Sequence, residues 1–163
     1  MKKFLQGFTT MELLLSMGIL MILIGVLTSV FGQILDVQLE SKAVSSVDQN
    51  GRFLLARLQH DMQQASTIIT PVSPGDSSDT LQIQINSIDY TYQASPSGNF
   101  VITNQYGTDL LNSTTASISA VTFIRIGSGD ANDTVRVQFT VTSRVRQANG
   151  YDQKTFQTTM GLE

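Results

Sequence analysis

The chain divides into three stretches by its pattern of apolar and polar positions. From Leu13 to Leu35, 23 consecutive residues (LLLSMGILMILIGVLTSVFGQIL) carry no charge, between Glu12 and Asp36. As a helix rising 1.5 Å per residue, such a run spans roughly 35 Å, enough to cross a hydrocarbon core with some tilt. Beyond Asp36 the apolar positions fall at spacings of three and four: Val44, Val47, Gly51, Leu54, Leu58, Met62, Ala65 and Ile69. That spacing predicts one apolar face of an amphipathic helix over 36–70, with Ser41, Lys42, Gln49, Arg52 and Gln59 mostly elsewhere on the wheel. Asn50-Gly51 is its weak point and a candidate kink, because glycine costs about 1 kcal/mol against alanine inside a helix. Pro71 and Pro74-Gly75-Asp76 end the pattern.

From residue 71 to 163 the period changes to two. Leu81–Ile85 (LQIQI) and Ile88–Tyr92 (IDYTY) alternate on either side of Asn86-Ser87, and Asn99–Thr103 follows the turn-like Ser95-Pro96-Ser97-Gly98. Ala120–Ile126 and Thr134–Val145 are the strongest strand patterns. In the second, Val135, Val137, Phe139, Val141 and Ser143 share one face, and Arg136, Gln138, Thr140, Thr142 and Arg144 the other. Gly127–Asp133 reads as the loop of a hairpin, and Lys154–Thr159 as a last strand. The expected fold class is α+β: a long N-terminal helix, half membrane-type and half amphipathic, packed on a C-terminal antiparallel sheet.

Charge sharpens the reading of the N-terminus. Lys2 and Lys3 are the only charges in MKKFLQG. By the positive-inside rule they keep the N-terminus cytoplasmic and put the bulk of the chain on the other side of the membrane. A secretory signal peptide has a shorter apolar run and a small-residue cleavage site after it. A plain signal anchor fits the length but leaves two features unexplained. One is Gly7-Phe8 just before the run. The other is Glu12 at its start, where a carboxylate costs up to about 2.5–3.5 kcal/mol near a helix centre and less near an end.

The string KKFLQG-FTTMELLLSMGILMILIGVL resembles the N-terminus of type IV prepilins and of type II secretion pseudopilins. The resemblance places Gly7 at the end of a basic leader, Phe8 at the mature N-terminus and Glu12 at the family's acidic position. It implies cleavage of leader 1–7 after Gly7 by a prepilin peptidase, then N-methylation of Phe8. Residues 8–35 become a transmembrane and assembly helix. Glu12, one helical turn beyond Phe8, is then placed to pair with a Phe8 amine and set subunit register; the alternative is a carboxyl neutralised in place. Gly18, Gly25 and Gly32 recur every seven residues, either as a small-residue contact stripe or as glycines ordinary in membrane helices. Many pilins carry Pro at mature position 22. This chain has Ser29 there, and Gly25, Thr28, Ser29 and Gly32 are what could loosen the helix instead. The late helix RFLLARLQHDMQQAS and the VTFIRI and VRVQFTV strands look like J-type minor pseudopilins and related minor pilins, loosely so after residue 70.

Little else points to chemistry. The chain has no cysteine and one histidine, His60. That excludes disulfides and thiolate sites, and His60 beside Asp61 reads as an exposed residue. Arg57 and Asp61 read as a solvated i, i+4 pair. Gly75–Asp79 (GDSSD) and Gly129–Asp133 (GDAND) are acidic loops that lack EF-hand spacing and fit turn chemistry. Asn112-Ser113-Thr114 and Asn132-Asp133-Thr134 match the glycosylation triplet by coincidence. The formal charge of −3, with Arg144, Arg146 and Tyr151 too small a group for a nucleic-acid patch, argues against nucleic acid. No catalytic, cofactor-binding or metal-binding set emerges.

The expectation is therefore a non-enzymatic minor pilin or pseudopilin. It is anchored in the cytoplasmic (inner) membrane, with its C-terminal part periplasmic or extracellular. Its partners are the prepilin peptidase, other pilin or pseudopilin subunits and the inner-membrane assembly platform. A major pilin, or a signal-anchored surface adhesion or binding module that never assembles, is the alternative.

Overall fold

The computed structural model describes residues 9–126, 133–147 and 150–162. The element order is α1 (Thr10–Gln64), then β1 (Thr67–Thr70), β2 (Ser77–Ser78), β3 (Thr80–Ile85), β4 (Ile88–Ala94), β5 (Phe100–Asn104), β6 (Gly107–Leu110), β7 (Ala116–Arg125), β8 (Thr134–Gln147) and β9 (Gly150–Gly161). The chain separates into two compact units, Met1–Gln38 and Leu39–Glu163. The fold is α+β, with a long N-terminal helix packed on antiparallel sheet, as the periodicities predict.

In the second unit the strands form two sheets rather than one. The first has the order β1-β3-β4-β5-β6 and the second β2-β7-β8-β9, and every pairing is antiparallel. Asn86 and Ser87 both take positive φ, 52° and 64°, the conformation that a two-residue hairpin loop requires between right-twisted strands. In β7, Ser119 faces Thr140 while Thr122 faces Gln138. One extra residue is thus held in β7, and Ala120 sits there at φ 49°, a bulge that bends the strand.

The core lies between the two sheets and the second half of α1. Leu54, Leu58, Met62, Tyr92, Phe100, Phe123 and Phe139 are all at most 1% exposed. Burial of each large apolar side chain is worth about 1.5–3 kcal/mol. Val135, Val137, Phe139, Val141 and Ser143 are buried and the alternate residues of β8 are not, so the period of two read from the sequence marks the inner face.

Three details of the helix differ from the sequence expectation. It ends at Gln64, not near Ile69. The β-branched run Thr67–Thr70 pairs with β3, and Ser66 N donates to Gln84 O at 2.8 Å; a sheet edge within reach outweighs a helical spacing formed by only two residues, Ala65 and Ile69. Val44 is 44% exposed while Ala43, Ser46 and Asn50 are buried, so the inward face is rotated and more polar than the apolar spacing indicates. The helix also runs through Asn50-Gly51. A Cβ on Gly51 would lie 2.2 Å from Cζ of Phe156. The glycine is there because the β9 aromatic ring fills the space of a side chain.

Candidate membrane and assembly segment

The first unit contributes only helix to the described residues. Its 18-residue window of highest mean hydropathy reaches 2.5 with none of it buried. Leu14, Leu15, Met21, Ile22 and Phe31 are each at least 65% exposed. A helix this long and apolar is a candidate single membrane span. Its polar side chains do not oppose that environment: Ser16 Oγ donates to Leu13 O and Thr28 Oγ1 to Ile24 O, both at 2.9 Å. Each hydroxyl is satisfied within its own helix. No break occurs at Gly25–Gly32, where the sequence left one open.

Gly7 and Phe8, the cleavage and methylation positions, lie outside the described residues; Glu12 lies within them. Thr9 caps α1: Glu12 N donates to Thr9 Oγ1 at 3.3 Å and to Thr9 O at 3.1 Å, and Leu13 N to Thr9 O at 3.1 Å. Thr9-Thr10-Met11-Glu12 therefore has the spacing of a capping box, and Glu12 stands in the first turn. A carboxylate there is favoured by the unpaired N–H groups and aligned peptide dipoles, by about 0.3–1 kcal/mol at an exposed site. This local stabilisation, which the sequence reading missed, makes an acid at the start of an apolar helix less costly. At Gly18, Gly25 and Gly32 an added Cβ would meet nothing within 4 Å, so within one chain the stripe is open.

The polar residues that matter in the second unit hold the helix to the sheets. Asp61 is 4% exposed and not on a solvated face. Its Oδ2 accepts from Tyr92 Oη at 2.6 Å and from Arg57 Nε at 2.7 Å. Burial and the bond to Asp61 push the Tyr92 phenol well above the usual tyrosine range, and the Asp61 carboxylate raises Arg57. A second tie centres on Asn50 and Asn112. Ser113 N donates to Asn50 Oδ1 at 2.8 Å, and Asn50 Nδ2 to Ser113 Oγ at 3.0 Å. Asn112 Oδ1 accepts from Phe100 N at 2.7 Å, while its Nδ2 donates to Ala116 O at 2.8 Å. These bonds fix the crossing from the first sheet to the second. With Asn112 4% exposed, its glycosylation triplet is closed in the folded chain.

The other sequence candidates resolve into structural roles. Asp76 Oδ2 accepts from Ser73 N at 2.9 Å, a turn contact. Residues 129–132 of the second acidic loop, and Asn132 of its triplet, lie outside the described residues. Asp133 pairs with Arg125 through Nε at 3.2 Å and through its second nitrogen. Among the described residues no three His, Cys, Asp or Glu side chains gather as a metal site. His60 is exposed and within 3.1 Å of Gln64 Nε2. Comparisons with family models, curated proteins and solved structures give no match.

Proposed function

We propose that the chain is a prepilin-like subunit, a minor pilin or pseudopilin of a type IV pilus or a type II secretion pseudopilus. The observation that carries this reading is the register of Gly7, Phe8 and Glu12 directly ahead of 23 uncharged residues. In support, the uncharged run is an exposed helix beginning at Thr10, and the second unit keeps its core to itself. The chain is a substrate of a prepilin peptidase and not an enzyme, and it needs no cofactor. It sits in the cytoplasmic (inner) membrane with the N-terminus inside and the second unit periplasmic or extracellular. It meets other pilin or pseudopilin subunits and the assembly platform through residues 8–35.

After processing, the new amine on Phe8 is a cation four residues from Glu12, and the two favour one subunit register over its neighbours because a misplaced subunit leaves both charges unpaired in low dielectric. The experiment is N-terminal mass analysis of protein purified from membranes of cells with active prepilin peptidase. The expected product begins at N-methyl Phe8. A full-length product, or cleavage beyond residue 35, rules the reading out and leaves a signal-anchored surface module.

A further inference from the structure

The cations of the second unit fall into two groups. Arg57, Arg125 and Lys154 are each ion-paired, with Asp61, Asp133 and Asp48. Arg136, Arg144 and Arg146 make no ion pair among the described residues, and all three are exposed on β8. They alternate with the buried residues of that strand, so they share the outer face of the four-stranded sheet. Their cross-strand neighbours there are neutral: Arg136 faces Thr159, and Arg146 faces Tyr151. Arg144 reaches across Ser117 to donate to Ser97 O at 3.1 Å and Asn99 Oδ1 at 3.2 Å, which orients the guanidinium without neutralising it. No Asp or Glu alternates onto this face in β7, β8 or β9 among the described residues. In a chain of net charge −3, one sheet face carries cations alone.

The rest of the face is a flat array of hydroxyls and amides, such as Thr140 and Thr155, whose Oγ1 atoms are 3.0 Å apart. Tyr151, 58% exposed, stands at the end near Arg144 and Arg146, and a shallow recess of ≈ 250 Å³ is lined there by Ser117, Thr142, Arg144 and Tyr151. Arg136 lies eight residues away along β8, about 27 Å at 3.4 Å per residue.

We propose that this face docks an acidic polysaccharide, a chain of uronate sugars. The arginines take its carboxylates in paired hydrogen bonds, the hydroxyl and amide rows take its hydroxyls, and the Tyr151 ring lies against a sugar face. The neutral middle of the platform selects this ligand over nucleic acid. Nucleic acid brings a charge with every nucleotide and would set most of its phosphates against uncharged side chains. The absence of carboxylates on the face distinguishes it from one that binds neutral glycan. The inference does not depend on processing or assembly of the chain.

The test uses the full chain in nanodiscs of zwitterionic lipid, with binding of alginate, dextran and duplex DNA of matched length measured by interferometry. Alginate is expected to bind and to be released by salt, dextran not to bind, and DNA to bind more weakly than alginate. Arg136→Gln/Arg146→Gln removes two exposed charges with no partner in the fold, and should weaken alginate binding by about tenfold or more with an unchanged melting curve. Tyr151→Ala should weaken it while keeping its salt dependence. Lys42→Gln/Arg52→Gln, on the helix, should leave it unchanged. No alginate binding by the parent chain, an unaffected Arg136→Gln/Arg146→Gln variant, equal binding of dextran, or tighter binding of DNA each overturns the proposal.

Discussion

Gly51→Ala sets two magnitudes against each other. Inside a helix the change alone should stabilise by about 1 kcal/mol. Here the new Cβ would fall 2.2, 2.3 and 2.6 Å from Cζ, Cε2 and Cε1 of Phe156. Carbon atoms pack best at about 3.5–4.0 Å, so the ring would have to retreat by more than about 1 Å. It has little room to do so. Phe156 stacks on Phe139 at 5.8 Å and 20°, Phe139 stacks on Phe100 at 6.5 Å, and Lys154 holds the ring from the side at 5.4 Å. Overpacking of this kind costs about 1–3 kcal/mol. Because the obstacle is a stacked ring and not a flexible chain end, the upper half of that range applies. The net expectation is a loss of about 1–2 kcal/mol. The assay is urea unfolding followed by circular dichroism, on a fragment starting at Asp36. Every member of the apolar core lies within Leu39–Glu163, so this fragment should fold without detergent. Gly51→Ala/Phe156→Leu should cost less than the sum of its single changes by about 1 kcal/mol, since the smaller side chain relieves the clash. If Gly51→Ala stabilises the fragment by the full helical increment, the ring does not hold the helix and the reasoning fails.

Other outcomes follow from the same contacts. Asn112→Ala leaves Phe100 N–H and Ala116 C=O without their buried partner and should cost about 2–4 kcal/mol in the same unfolding assay; a loss below about 0.5 kcal/mol, the scale of ordinary surface changes, would mean the crossing is held by something else. The raised pKa of Tyr92 makes its stabilisation complete below the unfolded value near 10 and progressively lost as pH rises above it. Unfolding free energy should therefore fall above about pH 10 in the parent and more gently in Tyr92→Phe; parallel curves would show that the phenol is not what titrates. Under the prepilin reading, Glu12→Ala should keep membrane insertion and processing but lose crosslinking to partner subunits, as should Glu12→Gln, and wild-type co-assembly by both would remove the pairing role.

Much of this protein is written in local pattern. The uncharged run from Leu13, the spacing of Leu54, Leu58 and Met62, and the alternation from Val135 to Ser143 fix helix, inward face and strand. Each periodicity repeats over enough residues that one side of the element must leave water whatever it meets. What needed the tertiary structure was set by single residues and distant partners. Gly51 reads as a weak point in a helix until Phe156, from the last strand, is seen filling its side-chain space. Asp61 reads as a solvated charge until Tyr92 closes over it, and Asn50 as a polar interruption until Ser113 meets it. Thr67–Thr70 leave the helix because β3 offers them backbone partners that the neighbouring sequence does not show. The division into two sheets, and the gathering of Arg136 with Arg144 and Arg146 on a face free of acids, depend on how strands pair. A period of two says only that side chains alternate; it does not say which strand comes alongside or which charges end beside one another.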